Sequence, residues 1–168
     1  MTPATGSNRS PTGPLVYFAE DDDELRHVIA EGLRRAGFEV VPASSGGEIL
    51  RMLTSASRGE MRRPDVLVMD VRMPICSGLD VLGALRMSSW TQPIVLITGF
   101  GEPALHVRAT ERGASVVLDK PFDLQDLIGV LDLLLLFDRD EDQEEEDESE
   151  AITLRYPRLT PDAAPERS

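Results

Sequence analysis

Short apolar runs alternate with stretches of helical periodicity over residues 15–137. Five runs have the length and composition of buried strands, and they read LVYFA (15–19), FEVVP (38–42), DVLVMD (65–70), PIVLIT (93–98) and SVVLD (115–119). The segment after each run spaces its apolar residues three or four apart, which predicts helices over about 22–36, 45–57, 77–86, 102–112 and 123–137. In the first helix, this spacing predicts a buried face formed by Leu25, Val28, Ile29 and Leu33.

The order of these elements predicts an α/β fold. Strands that are apolar throughout are typical of parallel sheets with helices on both faces, so we expect a five-stranded, doubly wound parallel sheet. In open sheets of this kind the ligand binds beyond the carboxyl ends of the strands. The residues that follow each strand are therefore the first candidates for a functional site.

Side chains with metal- and phosphate-binding chemistry follow four of the five strands. They are Glu20 and Asp21 after the first strand, Asp70 after the third, Thr98 after the fourth, and Asp119 with Lys120 after the fifth. Carboxylates suit Mg²⁺, which uses one or two of them and keeps several waters. A lysine beside such a site can neutralise a phosphoryl oxygen. The set predicts phosphoryl transfer to an aspartate.

The run EDDDE (20–24) needs its own explanation, because adjacent like charges repel. We assign Glu20 and Asp21 to the metal. Asp22 and Asp23 are expected to start the first helix, whose N-terminus favours negative charge. Without a cation, the carboxyl pKa values of this cluster are expected to be raised.

Charge is distributed unevenly along the chain of 168 residues. Residues 138–150 (DRDEDQEEEDESE) hold ten acids and one arginine, so they carry −9 of the formal net charge of −13 and leave −4 for the rest. We therefore predict one domain over 15–137 and an acidic, disordered tail over 138–168. Residues 1–14 are rich in Pro, Ser, Thr and Gly and lack an apolar run, which predicts a disordered leader. The tail either keeps the protein in solution or docks on a basic partner, and both interpretations stay open.

The composition also argues against several classes of partner. No basic stripe is present that would neutralise phosphates, so we expect no binding to nucleic acid. No apolar run approaches the roughly 18 residues of a membrane span, so we expect no membrane insertion. A single cysteine, Cys76, excludes an intramolecular disulfide and favours a cytoplasmic protein. Cys76 is interpreted as a small packed residue, and His27 and His106 as surface or structural residues without partners.

Four motifs together resemble a known family. FAEDDDELR, VLVMDVRMPICSGLDVL, VLITGFG and VLDKPF occur in the order and approximate spacing of a bacterial two-component response-regulator receiver domain. The resemblance covers about residues 14–137 and implies a CheY-like, flavodoxin-like (βα)5 receiver fold.

The resemblance also implies a role for each site residue. Asp70 would be the phosphoacceptor, and Mg²⁺ would be bound by Asp21, Asp70 and the backbone carbonyl of Arg72, with Glu20 helping through a water. Thr98 would donate a hydrogen bond to the phosphoryl group, and Lys120 would pair with it. In this family the peptide bond before the proline of the Lys-Pro pair is cis, which makes Pro121 a candidate cis-proline.

A phosphorelay signalling switch is the function that this resemblance implies. A sensor histidine kinase or a phosphotransfer protein would phosphorylate Asp70, and the face formed by the fourth and fifth helices would change its binding to a downstream protein. The protein would not be an enzyme acting on an external substrate, although it would assist its own phosphorylation and dephosphorylation. The alternative is a phosphorylation-independent scaffold with the receiver fold. A haloacid-type phosphatase needs a second aspartate at the position of Arg72 and is disfavoured.

Several features depart from the family pattern. Receivers commonly carry an aromatic residue three positions before the conserved lysine, where this chain has Val117, so the switch position is atypical. The segment 53–64 is longer than the usual connection; we interpret it as a tolerated surface insertion, although its arginines offer a contact point. Nothing after residue 137 resembles an output domain, so we expect a stand-alone receiver. The last helix is apolar on nearly all sides, which favours either a partner or homodimer surface or coverage by the tail.

Overall fold

The computed structural model describes residues 13–99 and 103–138. The chain divides into two compact units, Met1–Leu135 and Leu136–Ser168, and the second unit contributes only the helical residues 136–138 to the described part. Apart from residues 13, 14 and 138, the predicted leader and acidic tail therefore lie outside the described residues.

Five strands alternate with five helices in the described ranges. The strands are β1 (Leu15–Ala19), β2 (Glu39–Ala43), β3 (Val66–Asp70), β4 (Ile94–Thr98) and β5 (Val116–Asp119). The helices are α1 (Asp23–Arg35), α2 (Gly46–Ser57), α3 (Gly78–Met87), α4 (Pro103–Glu111) and α5 over 124–138. All strand pairs are parallel, in the order β2-β1-β3-β4-β5. This is the doubly wound order, so the predicted fold class is confirmed.

Alternate strand residues build two cores, one on each face of the sheet. In β1, Tyr17 lies in a cluster with Ile49 of α2 and Leu82 of α3, whereas its neighbour Phe18 lies in a second cluster with Leu33 of α1. Successive strand side chains point to opposite faces, which is why one short apolar strand supplies both cores. The inner strands β1, β3 and β4 are fully buried, whereas β5 at the edge is only partly buried.

The buried face of α1 differs from the predicted one. Val28 is 59% exposed, so its assignment to the core was wrong. The buried stripe instead passes through Ile29, Ala30 and Leu33, and the side chain of Arg26 is only 19% exposed on the same side. Spacings of three and four from Leu33 are satisfied by residues 29 and 30, and they place position 28 on the outer side of the helix.

The long connection between α2 and β3 is more than a surface insertion. The hydroxyl of Tyr17 donates a hydrogen bond of 2.7 Å to the carbonyl oxygen of Arg62. The Arg62 guanidinium lies 2.9 Å from a carboxylate oxygen of Glu39. The Arg63 guanidinium stacks over the Trp90 ring, 5.1 Å from its centroid. Residues 58–60, 62 and 63 are exposed, so the segment lies on the surface as expected, and these contacts attach it to the domain.

Helix α5 keeps apolar surface exposed, as its sequence suggested. Leu127, Leu131 and Leu135 are buried in the core shared with α1, whereas Leu133 is 56% exposed. Whether a partner, a second copy or the tail covers this surface stays a prediction. Within residues 13–99 and 103–138, none of the helices has both the length and the apolarity needed to cross a membrane.

Candidate functional site

Three carboxylates meet at the carboxyl edge of the sheet. Glu20 follows β1, Asp21 is the next residue, and Asp70 ends the neighbouring strand β3. One carboxylate oxygen from each residue lies within 4.8 Å of the other two. Glu20 is 1% exposed and Asp70 4% exposed, whereas Asp21 is exposed to solvent. The cluster therefore has a buried floor and one open side.

Lys120, which directly follows the edge strand β5, supplies a cation to this cluster. Its ammonium nitrogen donates a hydrogen bond of 2.9 Å to Glu20 Oε2 and lies 3.2 Å from Asp70 Oδ1. The backbone N–H of Lys120 donates to the carbonyl oxygen of Thr98 at 2.7 Å, which ties the residue after β5 to the end of β4. The peptide bond between Lys120 and Pro121 is cis.

The chain around Asp70 fits closely against its neighbours. The backbone N–H of Arg72 donates to Asp70 Oδ2 at 3.1 Å, and this bond orients the carboxylate. Gly78, the first residue of α3, approaches so closely that an added Cβ would lie 2.5 Å from the carbonyl oxygen of Asp70. Thr98 ends β4 and is 1% exposed, one residue beyond the position paired with Asp70. The predicted site residues that end or follow β1, β3 and β4 therefore lie at the same edge of the sheet.

The electrostatics of the cluster follow mainly from burial. Burial raises the pKa values of Glu20 and Asp70 above their ordinary values, repulsion from a neighbouring carboxylate adds to the shift, and Lys120 opposes it. Burial alone would lower the pKa of Lys120, but its hydrogen bond to Glu20 and its attraction to both carboxylates raise it. The expected rise in carboxyl pKa is thus confirmed for Glu20 and Asp70, with burial as the larger cause.

The donor set fits a hard divalent cation. Three carboxylates contribute oxygen ligands, whereas the contacting ammonium of Lys120 can balance only one negative charge. Buried carboxylates with raised pKa values gain more from an added cation than solvated ones do. The open side at Asp21 leaves room for the waters that Mg²⁺ retains.

Asp119 does not join the cluster, and the expectation that it would was wrong. Its side chain is 48% exposed, and Oδ1 lies 2.9 Å from Nε2 of His106 on α4. The interpretation of His106 as a residue without a partner was therefore wrong as well. Successive residues at a strand end point to opposite sides, so Asp119 turns away from the site toward which Lys120 points.

The remaining acids of the run EDDDE serve α1. Asp22 is the N-cap, and its side chain accepts a hydrogen bond of 2.9 Å from the backbone N–H of Leu25, as predicted. Asp23 forms an ion pair with Arg26. Arg26 was not among the predicted site residues, although its spacing of three residues from Asp23 indicates a helical ion pair.

The atypical position Val117 lies in the core. It is partly buried and packs against the cluster on the α2 and α3 face, and its register partner in β4 is Leu96. A valine has neither the reach nor the ring of the aromatic residue that the family commonly places there.

Comparison with known proteins agrees with this arrangement. A sequence model of the response regulator receiver domain matches residues 16–132. The transcriptional regulatory protein PdtaR of Mycobacterium tuberculosis is 36% identical over 133 residues, which cover 79% of this chain and 62% of PdtaR. The transcriptional regulatory protein PrrA of the same organism is 35% identical over 124 residues, or 74% of this chain and 51% of PrrA.

Solved structures give the same result. The chemotaxis response regulator CheY4 of Vibrio cholerae is 30% identical and superimposes with a TM-score of 0.63, covering 73% of this chain and 99% of CheY4. A response regulator receiver domain from Clostridium thermocellum is 27% identical, with a TM-score of 0.69 over 75% of this chain and 97% of that domain. The chain spans less than two thirds of the length of PdtaR and PrrA. With its fold, its sequence match and its cluster of acids beside a lysine, the chain belongs to the receiver domain family of two-component response regulators.

Proposed function

We propose that this receiver is a phosphorylation switch in which Asp70 accepts the phosphoryl group. The observation that carries the proposal is the convergence of two further carboxylates and one lysine on the buried Asp70 at the carboxyl edge of the sheet. A structural aspartate at a strand end has no need of a second and a third carboxylate beside it. A phosphoacceptor with a bound metal needs all three.

The chemistry is an in-line transfer from a phosphohistidine of a sensor histidine kinase or phosphotransfer protein. A carboxylate oxygen of Asp70 attacks phosphorus, the P–N bond of the donor breaks, and its electron pair stays with the imidazole. The ammonium of Lys120, 3.2 Å from Asp70 Oδ1, is close enough to follow the negative charge onto a phosphoryl oxygen. We assign to Thr98 a hydrogen bond to another phosphoryl oxygen.

Mg²⁺ is the cofactor that the proposal requires. Glu20, Asp21, Asp70 and the backbone carbonyl of Arg72 would hold it. When bound, magnesium would neutralise negative charge on the phosphoryl oxygens during transfer. Glu20 and Asp70 are 1% and 4% exposed, so little water reaches the reacting carboxylate from the buried side of the cluster.

For the output we propose a change of protein partner through the face of α4 and α5. Support comes from apolar side chains that stay exposed on both helices, with Val107 on α4 56% exposed and Leu133 on α5 equally so. The division into a leader over 1–14, a receiver over 15–137 and an acidic tail over 138–168 is part of the same proposal. So are a downstream protein partner, a homodimer through this face, a cytoplasmic location and the absence of nucleic-acid binding.

A direct test uses acetyl phosphate as donor and intact mass as readout. We expect the wild-type chain to gain one phosphoryl group only when Mg²⁺ is present, and Asp70→Asn to gain none. Asp119→Asn is the matched control, because Asp119 also ends a strand but lies outside the cluster, and it should label like the wild type. Labelling of Asp70→Asn at the wild-type level would contradict the proposal.

The second candidate is a phosphorylation-independent scaffold, which Val117 favours because an aromatic switch residue is missing. A scaffold should bind the same partners before and after treatment with acetyl phosphate. The switch should gain or lose at least one partner on Mg²⁺-dependent labelling. Affinity capture with labelled and unlabelled wild-type chain, compared by quantitative mass spectrometry, separates the two.

A further inference from the structure

Arg26 occupies an unusual place for a cation. It is the fourth residue of α1, near the positive end of the helix dipole, where a positive charge is ordinarily disfavoured. Its side chain is nevertheless only 19% exposed. A cation that is largely buried at an unfavourable end of a helix needs partners that offset both costs.

Those partners connect Arg26 to the acidic cluster. Nη1 donates a hydrogen bond of 2.8 Å to the backbone carbonyl oxygen of Glu20, and Nη2 pairs with the carboxylate of Asp23. The guanidinium therefore joins the first turn of α1 to the β1–α1 connection.

The contact with the Glu20 carbonyl matters because of where that oxygen lies in the chain. The carbonyl belongs to the peptide group that joins Glu20 to Asp21, and a peptide group is planar and stiff. Fixing its oxygen therefore limits the rotation of the two residues on either side. The anchor on Arg26 is firm in turn, because its backbone N–H donates to the Asp22 carbonyl at 2.8 Å in the first turn of α1.

We infer that Arg26 is a positioning residue for the metal site: its guanidinium holds the peptide between Glu20 and Asp21 so that both carboxylates face Asp70. This inference rests on the proposed function, because it takes Mg²⁺ as the ligand of the cluster. It assigns no contact between Arg26 and the metal or the phosphoryl group.

A positioning role and a purely electrostatic role of Arg26 predict opposite changes in Mg²⁺ affinity for one substitution. Arg26→Met keeps the apolar stem but removes the positive charge and the donors. If Arg26 acted only as a charge, its loss would strengthen the binding of a nearby cation. If it positions the ligands, its loss should weaken Mg²⁺ binding on the order of tenfold, the low end of the effect of outer-shell partners.

The measurement is a titration of the ¹⁵N-labelled full chain with MgCl₂, followed through the backbone amide signals of Asp21 and Asp70. We expect Arg26→Met to bind Mg²⁺ on the order of tenfold more weakly and Arg26→Lys about threefold more weakly, because lysine keeps the charge but lacks the two-pronged contact. Affinity that is unchanged in Arg26→Lys and unchanged or stronger in Arg26→Met would overturn the inference. If Arg26→Met does not fold, Arg26→Lys decides alone.

Arg35→Met is the matched control. Arg35 lies on the same helix, is 82% exposed and forms an ion pair of 3.5 Å with Glu31. It should leave the Mg²⁺ affinity within about twofold, as expected for an exposed pair. An equal loss in Arg35→Met would assign the effect to α1 as a whole and overturn the inference.

Phosphorylation kinetics give a second readout. With acetyl phosphate, Arg26→Lys should need more Mg²⁺ for half-maximal rate but reach the wild-type rate at saturation. A lower maximal rate at an unchanged half-saturating concentration would contradict a positioning role. Wild-type chain that binds no Mg²⁺ would overturn the proposed function and this inference together, whereas wild-type binding with unaffected Arg26 variants overturns the inference alone.

Discussion

Asp70 and Asp119 have similar settings in the sequence and different settings in the structure. Each is the last residue of a short apolar strand. Asp70 is 4% exposed and faces two further carboxylates and an ammonium group, whereas Asp119 is 48% exposed and contacts a single histidine. The difference comes from the position of each strand, because β3 lies at the centre of the sheet and β5 at its edge.

A central strand has a neighbouring strand on each side, so functional side chains from both neighbours can lie close to its carboxyl end. The end of β3 lies between β1, which is followed by Glu20 and Asp21, and β4, which ends in Thr98. Lys120 reaches the cluster from beyond β4, so four segments distant in the sequence meet there. The end of β5 has a neighbour on one side only, and the helix α4 supplies its sole ion-pair partner among the described residues.

The largest expected difference between the two sites is the loss of stability when the cationic partner of each aspartate is removed. Lys120→Met would leave Glu20 and Asp70 buried without their ammonium partner, so we expect a loss of roughly 2–3 kcal/mol in the free energy of unfolding. His106→Gln removes a partly exposed pair and should cost less than about 1 kcal/mol. Urea denaturation at pH 7 measures both. Equal effects would show that the two sites do not differ in burial in the way described.

Lys120→Met should also slow labelling by acetyl phosphate, by on the order of a hundredfold for a lost charge partner of the transferring group. His106→Gln should label at close to the wild-type rate. The control for folding is the amide spectrum of each variant. A normal labelling rate in Lys120→Met would remove the lysine from the proposed chemistry.

Packing around Asp70 gives the next contrast. In Gly78→Ala the new methyl group would lie 2.5 Å from the Asp70 carbonyl, so the backbone must move and we expect a loss of about 1–3 kcal/mol. Gly83, in the middle of the same helix, has no atom within 4 Å of an added Cβ, so Gly83→Ala should gain about 0.5–1 kcal/mol from helix propensity. Thermal unfolding of the two variants checks both signs. Stabilisation by Gly78→Ala would contradict the close approach of α3 to Asp70.

Ionisation of Asp70 should have a smaller, pH-dependent effect on the free energy of unfolding of the metal-free protein. Because burial raises the pKa of Asp70 in the folded chain, the folded state holds its proton at a pH where the unfolded state has lost it. The free energy of unfolding therefore falls as pH rises from the ordinary value of 3.8 through the raised value, and the penalty is complete above it. Asp70→Asn removes this penalty and should raise Tm by a few degrees at pH 7.

The matched measurement is thermal unfolding in EDTA at pH 7 and near pH 3. The gain from Asp70→Asn should disappear at the lower pH, where the wild-type carboxyl is protonated as well. Asp119→Asn should change Tm less at both pH values, because its carboxylate is half exposed. A gain that is independent of pH would assign the effect to packing instead of charge.

The sequence predicted the fold almost completely. Each strand and helix begins and ends within one residue of its predicted position, because the apolar runs and the cap at Asp22 are local signals. The three-carboxylate cluster was also predictable, since parallel strands bring their carboxyl ends to one edge. The prediction grouped Asp119 with Lys120 by their place after the strand, although side-chain alternation along β5 directs the two residues to opposite sides.

Contacts between a side chain and a backbone atom of another segment could not be predicted from the sequence either. Val28 and Ile29 are both apolar, and only the packing of α1 decides which of them is buried. The hydrogen bond from Arg26 to the Glu20 carbonyl could not be predicted from residue types, because every residue has a backbone carbonyl. The attachment of the long connection before β3 likewise depends on the Arg62 carbonyl and the Tyr17 hydroxyl.

The most direct test of the central claim is to locate the phosphoryl group on the chain. Reduction of the acetyl phosphate-treated protein with borohydride converts a phosphorylated aspartate to homoserine, which peptide mass spectrometry assigns to one position. We expect a Mg²⁺-dependent conversion at Asp70 and none at Asp119. Conversion at Asp119, at Asp21 or at any aspartate other than Asp70 would contradict it.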